Sequence, residues 1–374
     1  YELYYIRDND YIRKREYAVA EKVNMGKISI NEISKLANVS TATVSRVLNG
    51  SSHVSESTRE RVLTIIRQTN YVPNVFAQGL KRDSSRTIGI MCPDIQDMYM
   101  TRALFYIQRR LSAYDYSSLL NCTGYELEDK KLGMELLLSK RVDAVVLVGS
   151  SFTEVNSEDN RYILEAAKKV PVVYLNGYLK GDNIYNVFCD EAEGTYRAAK
   201  TLIQAGVNGK RVIYLYNRET YSNKQKIKGF LTAMLENDQA VFANAVQLCP
   251  YDQVDQILDE WVLGGGLEDR LGGVMTSGDG LAMRVLKYFR KGNILVADQV
   301  QVVGYSNTDF GQFCVPELTS VDSCVSELSE ETVEILLKVL NGQEVDSEVC
   351  MSARIIPRES TRKRFKELAD HEKE

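Results

Sequence analysis

From Arg86 onward the sequence alternates between two kinds of segment. Seven short apolar runs, TIGIMC, SSLLNC, DAVVLVGS, PVVYLN, RVIYLY, GGVMTS and VQVVGY, are separated by longer stretches with helical spacing, such as residues 98–113, 191–206, 223–237 and 326–341. A strand that is apolar on both sides needs cover on both faces, and helices crossing over a parallel sheet supply it. So many units exceed one sheet of ordinary size, so the pattern predicts two Rossmann-like lobes. Ligands of such sheets bind beyond the carboxyl ends of the strands, which makes a cleft between the lobes the expected binding site.

Several chemistries are excluded from that body by its residues. The chain has two histidines, His53 and His371, so nothing between them can complete a Ser-His-Asp or Cys-His arrangement or the usual zinc site. The seven cysteines are scattered and never spaced Cys-x-x-Cys, as reduced and mostly buried thiols are. There is no phosphate-cradling Gly-x-x-x-x-Gly-Lys loop, and the glycines of LGGGLEDRLGG follow a helical stretch, not a strand. Asp190 and Glu191 read as a helix N-terminus more readily than as an acid–base couple. No cofactor and no metal are called for. No run approaches the ~18 apolar residues of a membrane span. The opening YELYYIRDNDYIRKREY is too polar for a signal peptide core, so the expected compartment is the cytoplasm.

The net charge of −5 is unevenly spread. Residues 27–82 carry eight basic and three acidic side chains, an excess of +5 on a chain that is otherwise acidic. Such a distribution suits a small part that meets a polyanion and a large part that does something else, although a solvated helical face has the same look. Within this segment, Ile30, Ile33, Leu36 and Ala37 have helical spacing, with Asn31 able to cap and Asn38 as the stop. Val44, Val47 and Leu48 then face that helix, leaving Thr41, Ala42, Ser45, Arg46 and Asn49 outward. Small side chains let a helix approach base edges, and one arginine can pair bidentately with guanine. A third helix is expected from the cap Ser55 to about Thr69, closing a core with Val62, Ile65 and Ile66.

VSTATVSRVLNG, then VSESTRERV, then YVPNVFAQGLKRDSSRTIGIM resemble the lactose/galactose repressor family of bacterial transcription regulators, and the similarity runs from about Ile28 to Ser360. The resemblance implies an N-terminal all-α helix-turn-helix DNA-binding head and an α/β periplasmic-binding-protein-like body of two Rossmann-like lobes. Residues 28–73 would be the head and 74–85 a hinge helix and linker. The body would span 86–360, with lobes of about 86–188 and 189–318 before the chain crosses back. Thr41, Ala42 and Arg46 match positions that read bases. Ser40, Thr43, Ser45, Asn49, His53 and Ser55 match positions at or near phosphates, where Ser40 and Ser55 could also cap helices. Asn74, Ala77, Gln78 and Leu80 fall in the hinge helix, Leu80 where a leucine wedges into the minor groove. A helix of about eight residues needs a partner to order it, and a plain linker is the other reading. The partners implied are near-palindromic double-stranded operator DNA, a second copy of the chain and a small effector such as a sugar. A solute-binding protein of a transporter and a sugar-processing enzyme share the body fold and remain alternatives.

By the same resemblance the effector cleft is lined by Asp94, Ile95, Tyr99, Asn176, Asp190, Lys226, Tyr251, Asp279 and Ser306. Sugar-binding members typically carry Arg where this chain has Lys226, Asn where it has Gly278 and Asp where it has Ser306, so the ligand class stays open between a neutral sugar, a sugar phosphate, another small metabolite and no small effector at all. The family pattern leaves residues 1–27 as an extension, in which Ile12, Val19, Ala20 and Val23 could form one helical stripe or a frayed terminus. The tail 361–374 is too short and leucine-poor for a tetramerising coiled coil, so a homodimer is implied.

Overall fold

The computed structural model describes residues 28–48, 50–69, 71, 84–208, 211–237, 244–263 and 271–371. The expectations for residues 1–27, for Asn49 and for the hinge positions Asn74, Ala77, Gln78 and Leu80 lie outside the described residues. Its contacts divide the chain between Asp83 and Ser84 into two units.

The first unit holds three helices among its described residues: α1 (Ile30–Leu36), α2 (Thr41–Leu48) and α3 (Glu56–Thr69). Ser29, not Asn31, caps α1. Its backbone N–H donates to Glu32 Oε2 at 2.6 Å while Glu32 N–H donates to Ser29 Oγ, a reciprocal capping box. Asn38 ends the helix with φ +50, a left-handed position that asparagine tolerates. Ile33, Ala37, Val44, Val47 and Val62 are buried together, with Leu48, Ile65 and Ile66 half-buried around them. Leu36 is 60% exposed, so the apolar stripe of α1 is narrower than its spacing suggests. Arg59 on α3 donates to the Ser51 carbonyl at 2.5 Å, which fastens the loop after α2.

In the second unit the first sheet has the order β2-β1-β3-β4-β5, from β1 (Thr87–Cys92), β2 (Ser117–Cys122), β3 (Ala144–Val148), β4 (Val172–Leu175) and β5 (Ile184–Asp190). The second repeats that order as β7-β6-β8-β9-β10, from β6 (Val212–Tyr216), β7 (Val246–Leu248), β8 (Gly273–Thr276), β9 (Gln301–Tyr305) and β10 (Thr319–Asp322). Each sheet gains a sixth strand from the C-terminal part of the chain. β11 (Glu348–Ser352) lies parallel beside β5, and β12 (Arg354–Ile356) antiparallel beside β10. The seven apolar runs are β1, β2, β3, β4, β6, β8 and β9.

Helices cover both sheets: α4 (Met98–Ala113), α5 (Leu127–Ser139) and α6 (Arg161–Ala167) follow strands of the first; α7 (Glu191–Gln204) leads from it to the second; α8 (Tyr221–Glu236), α9 (Val254–Leu263) and α10 (Asp279–Lys291) follow strands of the second. The helix α11 (Val325–Leu340) returns to pack on α4, β4 and β5. The second sheet extends past residue 318, because β10 runs to Asp322. The strand escapes a hydropathy reading: Thr319 and Ser320 are wholly buried, held by Thr361 and by Asp279. The chain therefore changes lobe three times, at Asp190–Glu191, at Ser323–Cys324 and at Ala353. The tail carries α12 (Lys363–His371), whose Phe365 and Ala369 are buried against α7.

Helices α7 and α8 touch backbone to backbone. A Cβ on Gly229 would stand 2.0 Å from the carbonyl oxygen of Ala192. Gly229→Ala is therefore expected to destabilise the body by about 2–3 kcal/mol, toward the upper end of overpacking costs. Urea unfolding followed by tyrosine fluorescence checks this, and an unchanged midpoint would show that the helices separate at little cost.

Candidate functional site

On the head, Thr41, Ala42 and Arg46 are exposed on α2 while Val44 and Val47 point into the helical core. Ser40 acts as a cap: its Oγ accepts from Thr43 N–H at 3.1 Å and bonds the Thr43 hydroxyl at 2.9 Å. Ser55 sits just before α3, its Oγ donating to Thr58 Oγ1 at 2.9 Å and its carbonyl accepting from Arg59 N–H. His53 is exposed in the preceding loop, and Thr43 and Ser45 are half-buried. The outward side of α2 thus carries small side chains and one long cation, a surface that admits close approach of a groove.

In the body, the topological switch points of the two sheets face each other. The loops after β1 and β3 come from one lobe, and those after β6 and β8 from the other. Between them lies a cleft of about 970 Å³, counting its open mouth. Helix N-termini converge there. Asp97 caps α4 by accepting from Met100 N–H at 3.0 Å, and Thr220 caps α8 by accepting from Asn223 N–H at 3.2 Å. Burial pushes the Asp97 carboxyl above its ordinary range, opposed by the Met100 and Tyr99 backbone N–H groups.

At the floor is Glu191, the first residue of α7 and 4% exposed. Its Oε1 accepts from Asn176 Nδ2 at 3.1 Å and Ser222 Oγ at 2.7 Å, and pairs with Lys226 Nζ at 3.3 Å. Lys226 also donates to the Ser277 carbonyl at 3.1 Å and stands 4.0 Å from the centre of the Tyr305 ring. Its donors are thus spent on the protein, and its part is to neutralise Glu191. Asp279 is likewise engaged, accepting from Thr308 N–H at 2.6 Å and from the Thr308 and Ser320 hydroxyls at 2.9 and 2.6 Å.

Tyr99, Asn176, Lys226, Tyr251, Asp279 and Ser306 border one cleft. Three other expected residues do not. Asp94 turns back to accept from Gln96 N–H at 2.8 Å, Ile95 is half-exposed, and Asp190 caps α7 by accepting from Glu193 N–H at 2.9 Å. The buried carboxylate is one residue further on. Sequence reasoning also missed Arg218, whose guanidinium carbon lies 3.5 Å from the ring centre of Tyr125 across the cleft. Burial raises the Tyr125 hydroxyl to about 12, with Arg218 pulling the other way. No signal within either loop gives that contact, because it joins residues from different lobes. Tyr99 and Ser151 border the cleft, but their hydroxyl oxygens are wholly buried, without a hydrogen-bond partner among the described residues. Burial holds the Tyr99 phenol well above its ordinary pKa, so it remains a donor. Among the described residues no three His, Cys, Asp or Glu side chains group as metal ligands, and no helix is long and apolar enough to cross a membrane.

Comparison with known proteins agrees with this division of the chain. Residues 29–74 match the model for bacterial regulatory proteins of the lacI family. Residues 85–258 match that for periplasmic binding proteins and the sugar binding domain of the LacI family, and 199–361 match a periplasmic binding protein-like domain. An HTH-type transcriptional regulator of Lachnoclostridium phytofermentans is 40% identical over 336 residues, covering 89% of this chain and 99% of the relative. The chain belongs to the LacI family of bacterial regulatory proteins.

It is a transcriptional regulator with a DNA-binding domain and a ligand-binding domain, and the enzyme and transporter readings fall away. Catabolite control protein A of Priestia megaterium is 26% identical over 90% of this chain and 99% of its own. The Lac repressor dimer bound to operator and the anti-inducer ONPF superposes with a TM-score of 0.79 at 22% identity, over 90% of this chain and 99% of that one. A CelR–cellobiose complex superposes at 0.64 with 22% identity, over 89% and 99%. Against the LacI-family pattern, the exchange of Arg for Lys226 is intelligible, since a compact ammonium reaches Glu191 and the Ser277 carbonyl from α8.

The buried pair gives a test of this assignment. Lys226→Met leaves Glu191 unmatched and is expected to cost about 3–5 kcal/mol, whereas Lys226→Met combined with Glu191→Gln recovers much of that. Denaturant unfolding of the four proteins of the cycle measures it. Additive losses would mean that Lys226 does not neutralise Glu191.

Proposed function

We propose that this regulator is a homodimeric repressor that binds a near-palindromic operator and responds to a small neutral polyhydroxylated ligand, a sugar or sugar derivative, in the cleft. On the head, Thr41, Ala42 and Arg46 read bases, and Ser40, Thr43, Ser45, Asn49, His53 and Ser55 serve the phosphate backbone. Asn74, Ala77, Gln78 and Leu80 form the hinge contact, Leu80 as the minor-groove wedge. The two-fold of the protein matches that of the DNA.

For the ligand, the observation that carries the reading is the neutral hydroxyl and amide side chains that border the cleft, those of Gln96, Asn217, Thr220, Tyr251 and Ser306. Such groups both donate to and accept from the hydroxyls of a ligand. Charge narrows the class. The two cations that border the cleft are engaged, Lys226 with Glu191 and Arg218 with the face of Tyr125, and Asp97, Glu191 and Asp279 stand beside them. That favours neutral hydroxyls over a phosphate. The sugar ligand named for the CelR complex is of the same class.

Two measurements test these roles. Arg46→Ala should weaken operator binding by about 1–3 kcal/mol and relax preference at one base pair of each half-site, read by competition on substituted operators; equal loss on random DNA would remove the base-reading role. Tyr251→Phe and Asn217→Ala should each weaken the ligand by about five- to tenfold and leave operator affinity in its absence unchanged. A normal ligand response in both variants would place the ligand elsewhere.

A further inference from the structure

Three sulfur side chains meet on one face of the first sheet, at the carboxyl ends of β1 and β2. The two strands pair in parallel with Cys92 opposite Cys122, the last residue of each. Both cysteines lie on the face that α4 covers. Ile88 and Ile90, which alternate with Cys92 onto one face of β1, share a buried cluster with Ala103 and Ile107 of α4, and Ser118, two pairs before Cys122, bonds Gln108 of α4. Met100, in the first turn of α4, completes the group, its Sδ accepting from the Cys92 thiol at 3.6 Å. The Cys122 thiol donates to the Pro93 carbonyl at 3.6 Å, which holds it beside the end of β1.

The chemistry of the group is soft. Burial pushes the Cys92 thiol up to about 12, and the neighbouring Cys122 thiol adds to the rise, so the two sulfurs are near enough to repel as anions. Adjacent strands stand ~4.8 Å apart, wider than the ~3.8 Å between the Cβ atoms of a disulfide, so the pair is better matched to a bridging atom than to a direct bond. Thiolates and thioethers select Cu(I) over harder cations. Nothing beside them serves a hard ion: Asp94 and Asp97, the carboxylates nearest in charge to Cys92, accept from the N–H groups of Gln96 and Met100, and no histidine lies between His53 and His371. Cys92 is wholly buried, Met100 half-buried and Cys122 exposed, which leaves one side open for an ion to enter.

From this juxtaposition we propose that Cys92, Cys122 and Met100 form a three-sulfur site for one Cu(I) ion. As the ion binds, both thiols release their protons to solvent and become thiolate ligands, and the Met100 thioether supplies the third bond. The ion ties the ends of β1 and β2 to the first turn of α4, the turn whose Tyr99 and Met100 border the cleft. The thirty residues between the two cysteines conceal the site from any spacing motif, because only the parallel pairing of β1 with β2 brings them together.

Anaerobic titration of the reduced full-length protein with Cu(I), in competition with a chromophoric Cu(I) chelator, tests the site. The expected result is one tightly held ion per chain, a first shell of sulfur alone by X-ray absorption, and no comparable uptake of Zn(II). Cys122→Ser, at an exposed position, and Met100→Leu, a swap of similar volume, should each weaken binding by at least about tenfold, with circular dichroism showing that both variants fold. Cys350→Ser, which removes another exposed thiol, should leave the affinity within about twofold. Failure to compete with the chelator, a first shell containing nitrogen or oxygen, Zn(II) held as tightly as Cu(I), or an affinity that survives Cys122→Ser or Met100→Leu would each overturn the proposal.

Discussion

A carboxylate placed on the first residue of a helix that crosses between two domains cannot be buried cheaply. Glu191 is so placed, and an unmatched charge there would cost several kcal/mol. Its partners come from both sides: Asn176 from the loop after β4, Ser222 and Lys226 from α8. The charge is satisfied only when both lobes and α8 are in register. The absence of a side chain at Gly229 lets α8 close on α7 near enough for Lys226 to reach. Fixing α8 fixes its capped N-terminus at Thr220, and with it the loop that carries Arg218 to Tyr125. The polar floor of the cleft and the alignment of its walls are thus one constraint.

The repetition of one strand order in both sheets explains why the site lies where it does. In an open parallel sheet, adjacent crossovers leave on opposite faces at the switch between β1 and β3, which opens a crevice at the strands' carboxyl ends. The same holds between β6 and β8. Three crossings of the chain set the crevices mouth to mouth, so each wall is lined by helix N-termini and loop polar groups while the apolar core stays behind the strands. Three of the residues carried by family resemblance to this cleft prove to be its frame. Asn176, Lys226 and Asp279 spend their hydrogen bonds on neighbouring protein groups. The groups left over for a ligand are neutral hydroxyls and amides, such as those of Gln96, Asn217, Tyr251 and Ser306, and these are poorly visible in a sequence because such residues occur everywhere.

What the sequence disclosed follows from which interactions leave a periodic trace. Six of the seven strands found by their apolar runs are buried on both faces, so nearly every residue in them is hydrophobic, whereas the edge strand β2 is partly exposed and half polar. β5 was hidden by Asn186, a buried amide that holds both the N–H and the carbonyl of Leu179, and β10 by Thr319 and Ser320, which bury their hydroxyls against partners distant in sequence. Caps were legible to within two residues, as the shift from Asn31 to Ser29 illustrates, since both are competent and only geometry selects one. The displacement from Asp190 to Glu191 has the same origin. Either acid suits a helix N-terminus, and the turn from strand to helix decides which faces solvent and caps, and which faces the opposite lobe.

Where the body begins, the chain is held by one residue. Asp143, in the loop between α5 and β3, accepts from Ser84 Oγ, Ser85 N–H, Ser85 Oγ and Arg86 N–H at 2.5, 2.6, 2.8 and 2.9 Å. Four hydrogen bonds on a single carboxylate make the entry to β1 a rigid point of the first lobe. A movement of that lobe is therefore delivered to Ser84 undiminished. Such a movement needs an energy source that differs between two states. Reversing a preference from about 1:99 to 99:1 takes roughly 5.5 kcal/mol of differential affinity. The contacts between the lobes across the cleft include the Arg218–Tyr125 stack and the 2.7 Å bond from Arg102 to the Asn307 carbonyl. A stack of that kind contributes about 0.5–2 kcal/mol and a charged hydrogen bond about 1.5–3 kcal/mol. Their sum, about 2–5 kcal/mol, falls short of the requirement. A ligand that bonds both walls at once adds the remainder in the closed state alone, and one that bonds a single wall leaves the equilibrium where it was, however tightly it is held.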